Sequence, residues 1–447
     1  NFRFHRLAAG GSTYQAYLAA KAAKTPKVAV GANDGMLHVF NARTLAEEYA
    51  YVPKLVFPKL RNLSAQNYGR STNPHQYLVD GPLTVSDVYN GTAWRTIVVG
   101  TLGGGGRGVF ALDVTDSTPR VLFEISDADF PELGYVLGKP LIAPLKNGRW
   151  GVIFGNGDSS GSSTVATQSR LFVVDVFDPL NQTKIISTGS GRGLSAPAVL
   201  LDANGIAKAV YAGDLNGQLW RFDLDFTDSE DWDNNTYKLF HAKTADSTPK
   251  EQPITAAPTL GINPAKGGKI AVYFGTGKYF EEGDHALSAS NPYHSFYAIT
   301  DMGEEVERSE LAVKTFDSAR RIVEPSIDWT TKHGWYLDFG YSNEERVIAK
   351  TLLISDRLVF ATLIPSASSC DNGGSSWLLE TSAVYPGGAY TVLQEPPAEG
   401  VMTLAPIGIG VSKNGLTLLI GRSDGNPDDE PGNLDDSMGR QSWRELD

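Results

Sequence analysis

The sequence predicts an all-β fold built from one repeated sheet unit, and three observations carry that prediction. Glycine makes up 47 of the 447 residues and aromatics 10%, a mixture expected of many short strands joined by tight turns. Long helical patterns are scarce, with Tyr14–Lys24 and Asp301–Asp317 as the candidates. Third, a strand–turn–strand phrase recurs along the whole chain. Its clearest copy is Ala209–Leu224, an apolar strand, a tight turn at Asp214–Gly217 and an alternating strand. There Trp220, Phe222 and Leu224 fall on one face and Leu219, Arg221 and Asp223 on the other. Asn-Gly between two such runs is a hairpin signal.

Taken in order, the copies begin at Val28–Asn41, which turns at Asn33, Asp34 and Gly35. The next are Thr96–Gly100 with Gly108–Val114, and Gly151–Gly155 with Arg170–Val176. The Ala209 hairpin follows, then Ile270–Gly275 with Ser295–Thr300, Arg357–Ala361 with Ser376–Glu380, and Leu416–Gly421. Their anchors stand at positions 31, 100, 155, 213, 275, 361 and 421. A blade of four antiparallel strands needs roughly 40–50 residues, so the longer spacing here leaves room for long loops. Seven copies of one sheet unit predict a seven-bladed β-propeller, irregular, with long inter-strand loops and short helical insertions. A pair of β-sandwiches is the competing all-β fold, but it does not demand a repeated phrase. Closure removes exposed sheet edges, so the strand near Val28 is expected to share a blade with Gln441–Leu446. No linker divides the chain, which is read as a single domain over 1–447. Ser423–Ser437 reads as a loop and Thr227–Ser247 as a polar insertion.

Composition narrows the function. Thirty-nine basic against 51 acidic residues give a net charge of −12, and no basic cluster interleaved with aromatics is apparent. Nucleic acid is therefore not an expected partner. No apolar run approaches the roughly 18–20 residues needed to span a bilayer. The chain begins at Asn1 without Met, so it reads as a mature product or an excised fragment. The one cysteine, Cys370, allows no internal disulfide.

Catalytic patterns are weak. Gly103–Gly108 satisfies the dinucleotide fingerprint, but a strand follows where a helix would have to meet the phosphate. Gly157–Gly161 mimics a hydrolase elbow, yet Ser162–Gln168 is too polar for the required helix. The seven histidines show no metal-ligand spacing. His38 reads as a packed or rim residue, and His285 and His294 flank a long loop without a nucleophile.

Several phrases resemble a known family. They are Gly31–His38, Tyr77–Pro82, Gly106–Thr115, Tyr211–Leu224, Gly275–Phe280, Cys370–Trp377 and Gly439–Leu446. Together they resemble the C-terminal propeller of the PilC/PilY family, the type IV pilus biogenesis factors and tip-associated adhesins of Gram-negative bacteria. The resemblance implies a non-enzymatic part of a longer secreted protein, at the cell surface and pilus, or in the periplasm or outer membrane in transit. It implies roles in pilus extension, adhesion, twitching motility and virulence. The implied partners are pilin, minor pilins, pilus assembly proteins and the host cell surface, met through loops such as Thr227–Ser247 and Glu281–Tyr293. The repeat also resembles that of quinone-cofactor dehydrogenases, but it lacks their tryptophan-docking pattern and vicinal cysteines. A generic envelope scaffold is the third reading.

In the family, the loop before the Tyr-Ala-Gly-Asp strand binds calcium in an EF-hand-like way. Here Asp202 and Asn204 match the first two liganding positions. A later acidic position is missing, and Lys208 stands in the place of the terminal acid. The resemblance therefore implies a degenerate calcium loop; by charge, the Lys208 ammonium near Asp202 is expected to substitute for the ion, with a plain solvated hairpin loop as the alternative. A second oxygen-rich run, Asp424, Asn426 and Asp428, alternates side chains around Gly425 and Pro427 and is a further calcium candidate.

Overall fold

A computed structural model describes residues 4–159, 168–281, 283–284, 293–318, 320–340, 344–365 and 374–385, and the backbone of three strands between 403 and 431. The chain divides into two compact units, Asn1–Asp214 with Arg221–Tyr237, and Leu215–Trp220 with Lys238–Asp447. It is all-β, as the glycine and aromatic content predicts.

The first unit begins with a 3-10 turn, Phe4–Arg6, and helix α1, Gly11–Ala22, close to the predicted helix. Its first sheet orders β1 (Lys27–Gly31), β2 (Leu37–Asn41) and β3 (Glu47–Tyr51) consecutively. A 3-10 turn at Lys54–Val56 and helix α2, Phe57–Leu63, follow. The second sheet is a meander of β4 (Leu83–Tyr89), β5 (Trp94–Thr101), β6 (Gly108–Asp113) and β7 (Arg120–Ser126). The third is a meander of β8 (Leu141–Pro144), β9 (Trp150–Gly155), β10 (Arg170–Asp175) and β11 (Lys184–Ser187). In the fourth, β12 (Pro197–Leu201), β13 (Ala207–Gly213), β14 (Gln218–Asp223) and β15 (Thr236–His241) lie in chain order, and the division between the units falls within it. Helix α3, Glu230–Asn234, precedes β15.

The second unit holds a six-stranded sheet of β16 (Thr259–Asn263), β17 (Lys269–Gly275), β18 (Ser295–Thr300), β19 (Leu311–Phe316), β20 (Ile322–Val323) and β21 (Gly334–Asp338). Its order is β16-β17-β18-β21-β19-β20, with β19 and β21 parallel. A three-stranded sheet joins β22 (Leu352–Ile354), β23 (Arg357–Ala361) and β26 (Leu378–Ser382). A ribbon pairs β24 (Ile364–Pro365) with β25 (Gly374–Ser375), and β27 (Thr403–Ser412), β28 (Gly415–Arg422) and β29 (Asp428–Pro431) form the last sheet.

Each of the seven anchors thus lies in a separate sheet. Two anchor glycines show why the repeat needs them. A Cβ at Gly155 would stand 2.2 Å from the Leu194 carbonyl oxygen, and one at Gly275 2.3 Å from Val347 Cβ. In both cases the lead-in to the next sheet crosses close over the glycine, with its backbone at Gly155 and with the Val347 side chain at Gly275, and Gly157 N–H donates to Leu194 O at 2.9 Å. The alternation in the Ala209–Leu224 hairpin holds from Trp220 onward, with Trp220, Phe222 and Leu224 buried; Leu219 is buried too.

Three expectations are corrected. Asp301–Asp317 is not a helix: β19 occupies Leu311–Phe316, whose β-branched Val313 and Thr315 suit the sheet. Thr227–Ser247 is not a free insertion, since α3 buries Trp232 and β15 buries Leu239 and Phe240. Ser423–Ser437 contains a strand, β29. Gln441–Leu446 lies outside the described residues.

Candidate functional site

The Asp202 loop joins β12 to β13 as a closed turn. Asp202 N–H donates to Ile206 O at 2.8 Å and Gly205 N–H to Asp202 O at 3.0 Å. The Asp202 carboxylate faces inward on this turn: its Oδ1 accepts the Asn204 N–H at 2.8 Å and the Ile206 N–H at 2.9 Å. This is an Asx turn, the short acidic side chain capping its own backbone. Gly205 completes it at φ 86°, a conformation that favours glycine.

The cations near the loop are not the one expected. Lys208 is exposed on β13 between buried Ala207 and Ala209, so strand alternation points it away from the core face. Among the described residues, no ion pair links it to Asp202. Instead Arg6 Nη1 donates to the Ala203 carbonyl at 3.1 Å. Lys146, on the β8–β9 turn, pairs with Asp225 Oδ1 at 2.8 Å. Its ammonium is held above the usual lysine range by the Asp225 hydrogen bond and charge, and Asp202 adds to that. Arg6 lies 197 residues from Ala203, and no local pattern in the sequence could have signalled either cation.

Calcium takes about 6–8 oxygen ligands. The loop offers one carboxylate with an oxygen already engaged by two amides, plus exposed Asn204. Among the described residues, no group of three His, Cys, Asp or Glu side chains is placed to hold a metal ion. The residues present do not fit calcium. Of the second candidate, Asp424 and Asn426 lie outside the described residues, and Asp428 opens β29.

The other sequence candidates resolve as scaffold. Gly103–Gly105 is a 3-10 turn followed by β6, with no helix to receive a phosphate. His38, on β2, sits between Glu47 Oε1 at 2.6 Å and Asp34 Oδ2 at 2.8 Å, and both carboxylates raise its pKa, Glu47 the more. It clamps its own hairpin at the rim. His294 is buried, with Nδ1 3.3 Å from Thr276 Oγ1, and burial, then Arg346, brings its pKa down to about 3. It is a neutral core histidine. His285 and Cys370 lie outside the described residues, as does Gly161.

The comparisons decide the family. Residues 5–316 match the model of the PilY1 beta-propeller domain. The chain belongs to the PilY1 β-propeller family. A PilY1 homologue of Xylella fastidiosa, described as a type IV pilus biogenesis factor, is 35% identical over 469 residues, covering 98% of this chain and 36% of the relative. The type IV pilus biogenesis factor PilY1 of Pseudomonas aeruginosa is 36% identical over 416 residues, covering 81% of this chain and 35% of the relative. The chain therefore spans about a third of the length of these curated relatives. The crystal structure of the Pseudomonas aeruginosa PilY1 C-terminal domain superposes with a TM-score of 0.72 at 28% identity, covering 94% of this chain and 95% of that one. The fold is thus a β-propeller of the PilY1 type. No helix among the described residues is long and apolar enough to cross a membrane.

Proposed function

We propose that this chain is a non-enzymatic propeller domain of a type IV pilus biogenesis factor, acting as a rigid platform at the pilus and cell surface. It supports pilus extension, adhesion and twitching motility by holding loops against pilins, minor pilins and assembly proteins, and against the host surface. The carrying observation is the likeness to PilY1 in both sequence and fold along nearly the whole chain. Seven anchors in seven separate sheets support seven blades within one domain. Rigid repeats suit a platform, because the sheets fix loop positions while loop sequences vary. The test is genetic. Removing the segment corresponding to this chain from the full-length protein is expected to abolish surface pili counted by electron microscopy, and twitching with them. Normal piliation and twitching, with the shortened protein still exported, would overturn the reading.

The Asp202 loop works without calcium in this reading, its shape set by the Asx turn and by Arg6 and Lys146. Adding calcium at millimolar concentration is expected to leave the melting temperature unchanged. EDTA is likewise expected to change nothing, whereas Arg6→Ala lowers the melting temperature slightly. A rise of several degrees with calcium would show that the loop binds the ion after all.

A further inference from the structure

From residue 49 to 79 the chain carries no Asp or Glu, although its net charge is −12. This stretch holds Lys54, Lys59, Arg61 and Arg70 with Phe57, Tyr68 and Tyr77 between and after them, which corrects the expectation that no basic cluster is interleaved with aromatics. Lys59 is committed inward, donating to Gly105 O at 2.6 Å. The other three are exposed, and among the described residues none enters an ion pair.

The fold presents them with aromatics. Along the 3-10 turn and α2, Val56 is buried and Leu60 and Leu63 pack beside Leu78 in one core cluster. The opposite stripe is Lys54, Phe57 and Arg61, spaced to share one helical face. Phe57 is 57% exposed and Tyr77 52%. The loop that follows carries a ladder of rings, Tyr68 to His75 at 6.0 Å and His75 to Tyr77 at 5.5 Å. It is braced from within. Asn62 and Asn73 exchange amide hydrogen bonds at 2.8 and 2.9 Å. Tyr68 Oη accepts the Gln76 N–H at 3.0 Å, and Asn33 Oδ1 accepts the Leu78 N–H at 3.0 Å. The surface is thus pre-ordered, which lowers the entropy cost of binding.

We propose that the α2 face and the Tyr68–Tyr77 ladder form a docking surface for an acidic protein segment that carries apolar side chains between its carboxylates. Unpaired cations on an otherwise acidic chain give charge complementarity and steering. Exposed Phe57 argues for a protein over a sulfated glycan, since a phenyl ring without a polar group needs apolar partner area to gain by being covered. Arginine and tyrosine are also the residues that dominate protein interfaces. The surface stands independently of the pilus assignment.

The test is biolayer interferometry of the purified chain at about 0.1 M salt against three immobilised probes: a random glutamate–tyrosine copolymer, poly-L-glutamate and heparin. The copolymer is expected to bind tightest. The triple variant Lys54→Glu, Arg61→Glu, Arg70→Glu is expected to lose about tenfold or more in affinity, and Phe57→Ser to lose the copolymer's advantage over poly-L-glutamate. Melting temperatures of both variants serve as the folding control and are expected to stay near that of the parent. The proposal is overturned if no probe binds, or if heparin matches the copolymer. It is equally overturned if the folded variants bind as well as the parent, or if sedimentation shows a dimer that the charge reversal dissolves.

Discussion

Replacing Glu324 with Gln is expected to lower the unfolding free energy by about 3–5 kcal/mol, the range for removing one partner of a buried ion pair. Lys314, on β19, is 2% exposed. Its ammonium meets Glu324 Oε2 at 2.6 Å, Thr381 Oγ1 at 2.7 Å and Ser382 O at 2.9 Å, and lies 4.0 Å from the Trp335 ring centre. Glu324 in turn accepts from Thr381 Oγ1 at 2.6 Å, Ser382 N–H at 3.0 Å and Ser382 Oγ at 2.7 Å. The carboxylate is the acceptor around which every donor is oriented. The NH2 of a Gln amide of the same shape would face either the Lys314 ammonium and the Ser382 hydroxyl or the Thr381 hydroxyl and the Ser382 N–H, setting donor against donor in both orientations.

The two partners disagree on the balance of forces. For Lys314 burial outweighs the attraction of Glu324, bringing its pKa down to about 8. For Glu324 burial pushes upward but is outweighed by Lys314 and the hydrogen bonds, and the net direction is down. Glu324 is held ionised because it retains some solvent contact (13% exposed) while taking four hydrogen bonds. Signs follow from linkage. Glu324, depressed in the fold, contributes stability above its ordinary value of 4.5 that is lost as pH falls through the folded value. Lys314, also depressed, carries a penalty below about 8 that disappears as pH rises to its ordinary 10.5. Urea midpoints measured from pH 2 to 11 are expected to show both limbs in the parent. In Glu324→Gln the acid limb flattens and the alkaline recovery begins at lower pH, since Lys314 then sheds its proton more readily. Lys314→Met with Glu324→Leu is expected to recover most of the loss. A single variant within 1 kcal/mol of the parent would sink the argument.

What could be read from the sequence was local. Period-2 alternation and the turn glycines marked the hairpins at Val28–Asn41 and Ala209–Leu224 most clearly, because there both strands and the turn fall within one window; the other copies were legible as apolar strands ending at an anchor. The glycine anchors were legible as repeats, although the reason for them, the crossing lead-in at Gly155 and Gly275, is a tertiary contact. Asp301–Asp317 was misread because its charged start suits a helix, while β19 is recruited by a parallel pairing with β21 that no local window contains. At the Asp202 loop the sequence showed a lysine nearby, but not which cations approach the loop. Lys208 is adjacent in sequence but on the outward side of a strand, whereas Arg6 and Lys146 arrive from other elements of the first unit.

The distant arrival of Arg6 makes Trp94 the next residue to test, and Trp94→Ala is expected to cost about 3–5 kcal/mol. Trp94 opens β5 and is 4% exposed. Its ring stacks on Phe4 at 5.7 Å, meets Tyr14 at 4.4 Å and Tyr89 at 5.4 Å, and stands edge-on to Trp150 at 5.8 Å. Its indole N–H donates to Gly10 O at 2.8 Å, directly before α1. One side chain therefore fastens both the Phe4–Arg6 turn and α1 to the second sheet, helped by Tyr14 Oη donating to Asp87 Oδ2 at 3.0 Å. Trp94→Phe keeps part of the ring packing and removes the indole donor, while Gly10 O still accepts from Thr13 N–H at 3.1 Å and Thr13 Oγ1 at 2.9 Å, so the lost hydrogen bond is expected to cost about 0.5–1.5 kcal/mol. Hydrogen exchange separates local from global effects. In Trp94→Ala the amides of α1 are expected to lose protection before those of β5 and β6. Unchanged protection in α1 would show that the helix is held by Asp87 and Lys21 alone. Because Phe4 and Arg6 share one turn, freeing Phe4 also frees the guanidinium from Ala203 O. Residues 203–206 are then expected to exchange faster in Trp94→Ala, though no atom of Trp94 is among the hydrogen-bond partners of that loop.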